Sequence, residues 1–172
     1  HDANSDLSTR VIVNTDSGAS LNRGSVYVRS AYRNDHEFSI KRLSHQGGVL
    51  ENLALNRMIE PDATVSVNYQ RLASQAMEDV FVNEATNTTI GDYREKLIGE
   101  INTPMSRIFP ELKFVGVGNP LEDGTFKFDK GASKSFDYKN LSGGEKASFD
   151  LILDFVVKRR DYNNAIYCID EP

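Results

Sequence analysis

Cysteine occurs once in the 172 residues, at Cys168, and tryptophan not at all. A lone cysteine excludes a disulfide framework within the chain and suits a reducing compartment. No run approaches the roughly twenty apolar residues of a membrane-spanning helix, and no signal-peptide pattern opens the chain. The expectation is a cytoplasmic protein without a membrane partner. An excess of positive charge is missing as well. The net charge is −5, and the only basic triple is Lys158-Arg159-Arg160. Bulk electrostatics therefore do not advertise a nucleic-acid binder, and the triple reads as a complement to the negative end of a helix. His1, His36 and His45 stand apart from Cys or acidic residues at metal-ligand spacing, so they carry no assigned chemistry. There is no internal repeat. No G-x-x-x-x-G-K-[ST] motif occurs, nor any Gly-Lys dipeptide. The length allows one domain with a sizeable core, and a start at His1 rather than methionine leads one to expect an excised piece or fragment.

What is present is concentrated in the last third. Leu141-Ser142-Gly143-Gly144-Glu145 precedes apolar residues at helical spacing (Ala147, Leu151, Ile152, Phe155, Val156), so a helix starts at or just after Ser142. The first-turn N–H groups of such a helix have no partner within it, and the dipole adds positive charge there. The two glycines leave the backbone uncovered, so a phosphate can approach closely, and the Ser142 hydroxyl adds a donor. The same residues also read as a capping box, with Ser142 at N-cap and Glu145 at N3. The two readings do not exclude each other.

Ala165 to Ile169 is a continuous apolar run that ends in Asp170-Glu171-Pro172. A strand buried on both faces of a parallel sheet has this composition. Ligands of open α/β sheets bind at the carboxyl ends of the strands. Adjacent carboxylates on an extended chain point to opposite sides, so Asp170 and Glu171 can take different tasks. A strand followed by a solvated turn is the plain alternative. Cys168, inside the run, reads as a small buried hydrophobe.

The rest of the chain predicts connecting structure. Residues Arg10–Asn14 and Ser25–Arg29 read as short strands, the second alternating, and Arg29 and Arg33 as paired surface arginines or as phosphate sensors. Val49 to Ile59 reads as a short helix stopped by Pro61. Tyr69 to Glu84 reads as a helix with Leu72, Ala76, Val80 and Phe81 on one face. Thr89 with Asp92 starts another helix, whose apolar stripe is Ile90, Tyr93, Leu97, Ile101, Met105 and Ile108. Pro104 kinks or restarts that helix. Leu112–Val117 and Thr125–Asp129 read as the strands of a hairpin joined through Leu121-Glu122-Asp123 and Gly124. Gly131 to Asn140 reads as a polar approach to Leu141, its Ser133, Lys134 and Lys139 solvated or meeting ligand phosphates or a partner subunit.

The block Leu141–Glu145 resembles the signature motif of ABC-type ATPases, and Ala165–Glu171 resembles their Walker B strand. Their order and spacing are those of the same superfamily. Glu145-Lys146-Ala147-Ser148-Phe149-Asp150 after the glycines, with Phe109-Pro110-Glu111-Leu112 and Asn119-Pro120-Leu121, is more similar to the soluble RecF, SMC and OLD-nuclease group, often called AAA-family ATPases, than to transporter subunits. The resemblance implies an α/β fold that is part of a P-loop NTPase core, with an inserted helical arm or lid and short strands. Residues 1–48 would be remnants of the N-terminal lobe and 49–110 the arm. Residues 111–172 would carry the signature, the connecting helix and Walker B. It further implies ATP and Mg²⁺ as cofactors, with Asp170 on the metal and Glu171 as general base. Leu141, Ser142, Gly143, Gly144 and Glu145 would bind the γ-phosphate of ATP held by a second subunit. The intact protein would then be an ATP hydrolase and a homodimer joined through ATP, working in DNA repair, recombination or phage defence. DNA enters as a partner through the resemblance alone. The chain by itself, lacking the phosphate loop, is expected to be inactive. A non-catalytic interaction or dimerisation module is the alternative, and a transporter's nucleotide-binding subunit a weaker one.

Overall fold

The computed structural model describes residues 25–29, 65–81, 89–119 and 124–169. The expected strand at Arg10–Asn14, the helix at Val49–Ile59, Arg33, the Leu121-Glu122-Asp123 turn and the acidic end Asp170-Glu171-Pro172 lie outside the described residues. The described part is mixed α/β. In chain order it runs β1 (Val26–Arg29), α1 (Val65–Phe81), α2 (Ile90–Ile108), β2 (Leu112–Val117), β3 (Phe126–Lys130), β4 (Ser133–Asp137), α3 (Gly143–Lys158) and β5 (Ile166–Ile169), with a 3₁₀ turn at Tyr138–Asn140. Two sheets result, one of β1 and β5 and one ordered β2-β3-β4.

Helix α2 begins where its sequence says it should. Thr89 is the N-cap, its hydroxyl accepts from the Asp92 N–H, and the Asp92 carboxylate accepts from the Thr89 N–H, completing a capping box. The helix runs through Pro104 to Ile108 without restarting. Only the middle of the expected stripe is interior: Leu97, Ile101 and Met105 are buried, whereas Ile90 is 71% exposed and Ile108 54% exposed. Those two sit at the helix ends, past the edge of the layer that α2 covers. Helix α1 starts four residues before the expected Tyr69 and buries Tyr69 and Leu72.

Strands β2 and β3 form the expected antiparallel pair, with Phe114 opposite Phe128. Between Phe114 and Gly116 the register slips by a bulge, where Gly116 has φ 137°. Side chains rarely adopt that conformation, so glycine is required. Asn102 of α2 then clasps β2: its Nδ2 donates to the Phe114 carbonyl at 2.8 Å, and its Oδ1 accepts from the Phe114 N–H at 2.8 Å.

Gly131 to Asn140 is not the polar loop the sequence predicts, because β4 returns along β3. A second irregularity falls between Phe128 and Lys130, with Ser135 at φ 49° and its N–H held by Asp129 Oδ1 at 2.7 Å. The interrupted register removes the period-two pattern that marks a strand.

Inward faces of β2 and β3 meet Phe149 of α3. Its ring centroid lies 5.6 Å from Phe114, 5.0 Å from Phe126, 4.9 Å from Phe128 and 5.9 Å from Tyr138. Tilted and edge-on aromatic pairs of this kind add to the free energy of burial. One core takes in α1, α2, α3 and the three-stranded sheet, while Tyr27 and Tyr162 form a separate cluster under β1 and β5. Phe149→Ala is expected to destabilise the fold by about 3–5 kcal/mol, since it empties the meeting point of four rings. Denaturant unfolding monitored by near-ultraviolet circular dichroism measures this; a loss below about 1 kcal/mol would deny Phe149 that role.

Candidate nucleotide site at the start of helix α3

Leu141 is buried and anchors the chain before α3. Ser142 follows as N-cap with extended backbone, and the capping box is complete. The Ser142 hydroxyl accepts from the Glu145 N–H at 3.4 Å and donates to Glu145 Oε2 at 2.9 Å, and the Ser142 N–H donates to the same oxygen at 2.8 Å. The other carboxylate oxygen, Oε1, meets Lys130 Nζ at 2.7 Å. The Lys130 ammonium, against the upward push of burial and aided by Ser142, holds the Glu145 carboxyl below the ordinary carboxylate range.

Gly143 and Gly144 are exposed, and a Cβ built on either has no atom within 4 Å. The helical ladder opens with the Lys146 N–H donating to the Ser142 carbonyl, so the N–H groups of both glycines precede it. Leu141, Ser142, Gly143, Gly144 and Glu145 thus form one local unit with an open backbone face.

Strands β1 and β5 run parallel in register from Val26 opposite Ile166 to Arg29 opposite Ile169. Their carboxyl ends therefore lie side by side, and Asp170 and Glu171 follow β5 directly in sequence. β5 is not buried on both faces. Tyr167 packs its ring on Phe155 of α3, 4.9 Å between centroids, and on Tyr27, but Ile166 is 53% exposed and Cys168 is exposed too. Among the described residues only β1 pairs with it, and its Ile166 and Cys168 are exposed.

Beneath this pair lies a polar cluster that the sequence does not advertise. Asp154 of α3, 1% exposed, accepts from the Tyr27 hydroxyl and from Asn68 Nδ2 at 3.1 Å. It also pairs with Lys158 Nζ at 2.7 Å and Arg29 at 3.0 Å. Lys158, fully buried, also donates to the Tyr27 hydroxyl at 2.9 Å. Burial would raise the Asp154 pKa, but Lys158, Tyr27 and Arg29 outweigh it and hold the carboxyl below its usual value. The basic triple does close α3, with Lys158 in its last turn, but each of its residues also has a specific acidic partner. Lys158 belongs to this cluster, Arg159 reaches Glu100 of α2 at 2.8 Å, and Arg160 reaches Asp79 of α1. Nor is Arg29 a surface arginine, since it also donates to the Asp150 carbonyl at 3.4 Å. A spacing of four between Asp154 and Lys158 inside an apolar stretch was the available signal.

Arg29 touches α3 at Asp150 and Tyr27 touches it at Asp154 and Lys158, so β1 and its partner β5 run against the direction of α3. The carboxyl end of the pair therefore points toward the start of α3. Gly143 lies seven residues before Asp150, about 10 Å along the helix axis at 1.5 Å per residue, so the start of α3 and the carboxyl end of β5 lie toward one side of the layer. Among the described residues no cluster of His, Cys, Asp or Glu is placed to hold a metal, and no helix is long and apolar enough to cross a membrane. Comparison with protein-family models, curated proteins and solved structures gives no match.

Asp154→Asn should cost about 3–5 kcal/mol, because two cations then lose their buried counter-charge. Lys158→Met should cost less, since Asp154 keeps Arg29, Tyr27 and Asn68. The depressed carboxyl stabilises the fold above its unfolded pKa of about 3.9 and loses that contribution as pH falls through the lower folded value. Urea titrations from neutral pH downward should show this acid slope diminished in Asp154→Asn; an unchanged slope would mean that Asp154 is not the group responsible.

Proposed function

We propose that this chain is the signature-to-Walker-B portion of an ABC-type ATPase head of the soluble RecF, SMC and OLD-nuclease group. The carrying observation is the pair Gly143 and Gly144. Glycine weakens a helix by up to about 1 kcal/mol relative to alanine, and among the described residues nothing lies close enough to demand its small size. An open glycine face at a helix start suits a ligand that approaches from outside the chain, and a phosphate is the group such an end attracts.

By the resemblance, a phosphate at Gly143 and Gly144 would belong to a nucleotide held by a second subunit, so that the site would be completed between two subunits. In the intact protein ATP then joins a homodimer. Asp170 would hold Mg²⁺, which supplies charge neutralisation on the phosphates, and Glu171 would take the proton of the attacking water. Work on DNA, in repair or phage defence, and a cytoplasmic setting belong to the same proposal through the resemblance in Leu141–Glu145 and Ala165–Glu171.

Gly144→Asp separates fold from function. The new side chain meets open space and an acid favours a helix start, so the melting temperature should hold or rise slightly. ATP-dependent dimerisation of the intact protein, followed by light scattering, should be lost. Dimers that form as before would remove the signature from the interface. Glu171→Gln should instead accumulate an ATP-bound dimer with turnover abolished, and persistent phosphate release would take the general-base role away from Glu171.

A further inference from the structure

Helices α1, α2 and α3 meet around a small pocket at the end of α3 away from Gly143 and Gly144. Leu72, Leu97 and Val156, one from each helix, make its apolar part. It holds about 30 Å³, room for roughly two waters. A ligand larger than a single small ion would therefore stand outside it.

Polar groups make the rest of the lining, and their hydrogen-bonding capacity is unequal. The acceptors are largely spent. Glu100 accepts from Arg159 at 2.8 Å, and Asp79 pairs with Arg160. The last carbonyls of α3 are answered too: Phe155 by the Arg159 N–H, Val157 by Gln75 Nε2 at 3.0 Å, and Lys158 by the N–H groups of Asp161 and Tyr162. Gln75 Oε1 remains as a neutral acceptor. Donors are in surplus. Arg159 and Arg160 each spend one nitrogen on a carboxylate, whereas a guanidinium has five N–H groups. Among the described residues no hydrogen bond or ion pair engages the Lys96 ammonium or the Tyr93 hydroxyl. Burial, with Asp79 and Glu100, pushes the Tyr93 phenol above its ordinary pKa, so it stays protonated and can donate. Against the Glu100 carboxylate the lining sets three cations, Lys96, Arg159 and Arg160. Spare donors and surplus positive charge in a pocket of this size fit one oxyanion.

We propose that this pocket binds a phosphoryl group, as inorganic phosphate or as the end of a phosphomonoester. Its oxygens accept from Lys96, Tyr93 and the spare guanidinium N–H groups, and its own hydroxyl donates to Gln75 Oε1. Bound there, it ties α1 and α2 to the end of α3. The proposal does not rest on the nucleotide reading, because every residue of the pocket belongs to one chain and none lies in Leu141–Glu145.

The test is titration of the chain with sodium phosphate at constant ionic strength and near-neutral pH, following the Tyr93 ring and the Lys96 ε-methylene by nuclear magnetic resonance. Saturable shifts at both are expected. Lys96→Met should bind about tenfold more weakly and Tyr93→Phe about threefold, for loss of a charged and of a neutral donor. Neither should lower the melting temperature of the phosphate-free chain, since neither polar group has a partner to lose. Ribose 5-phosphate binding as tightly as phosphate would assign the pocket to a phosphomonoester, and weaker binding would assign it to the free ion; either upholds the phosphoryl class. Sulfate, with no hydroxyl to give Gln75, should bind more weakly, and equal affinity would overturn that class. Unsaturating shifts that chloride reproduces, or wild-type affinity in Lys96→Met, overturn the pocket. Shifts confined to Gly143 and Gly144 overturn it as well and leave the nucleotide reading standing.

Discussion

The carboxylate of Asp154 is the constraint on which the arrangement depends. The described part has two apolar clusters, one around Phe149 and one around Tyr27 and Tyr162. Asp154 and Lys158 lie on the helix between them, and their partners come from β1, through Tyr27 and Arg29, and from α1, through Asn68. Apolar packing is non-directional and would tolerate some sliding of a helix over a two-stranded pair. A buried carboxylate does not tolerate it, because a lost partner leaves a charge without solvent or counter-ion. The cluster thus sets the height of α3 on β1 and, through the parallel pairing, on β5.

That height also fixes where α3 begins. Arg29 holds α3 at Asp150, and Phe149, next in sequence, faces the other way into the three-stranded sheet. One turn of α3 is therefore gripped from both sides, by ions on one and by rings on the other. The first turn lies beyond both grips and is held separately, by Leu141 and by Lys130 on Glu145. A helix fixed in its middle with an independently capped start keeps its open glycines in a defined place.

Local rules were legible in the sequence wherever one element sufficed. Both capping boxes, Thr89 with Asp92 and Ser142 with Glu145, were readable because cap chemistry spans four residues. The β2–β3 hairpin was readable from alternating phenylalanines. Features that depend on distant partners were not. β4 hid because Ser135 adopts a positive φ and breaks the alternation. Lys158 looked like a helix-end cation, since an Asp–Lys spacing of four is equally common on solvated helices. Cys168 looked buried because an apolar run does not say how many faces are covered. Of the candidate site, Leu141 to Glu145 took the expected local form, whereas the Lys130 contact joins residues that the sequence gives no reason to connect.

The glycines carry the functional argument further than the motif does. Elsewhere a glycine is explained by its backbone, as at Gly116, where φ is 137°. Gly143 and Gly144 have no such explanation: their surroundings are open, and no positive φ is recorded for them. A cap alone would be served as well by alanine there, since the Ser142–Glu145 bonds do not involve those side chains. Nothing among the described residues accounts for glycine at these two positions. A phosphate that approaches from outside the chain, as proposed above, is a group that would supply the reason.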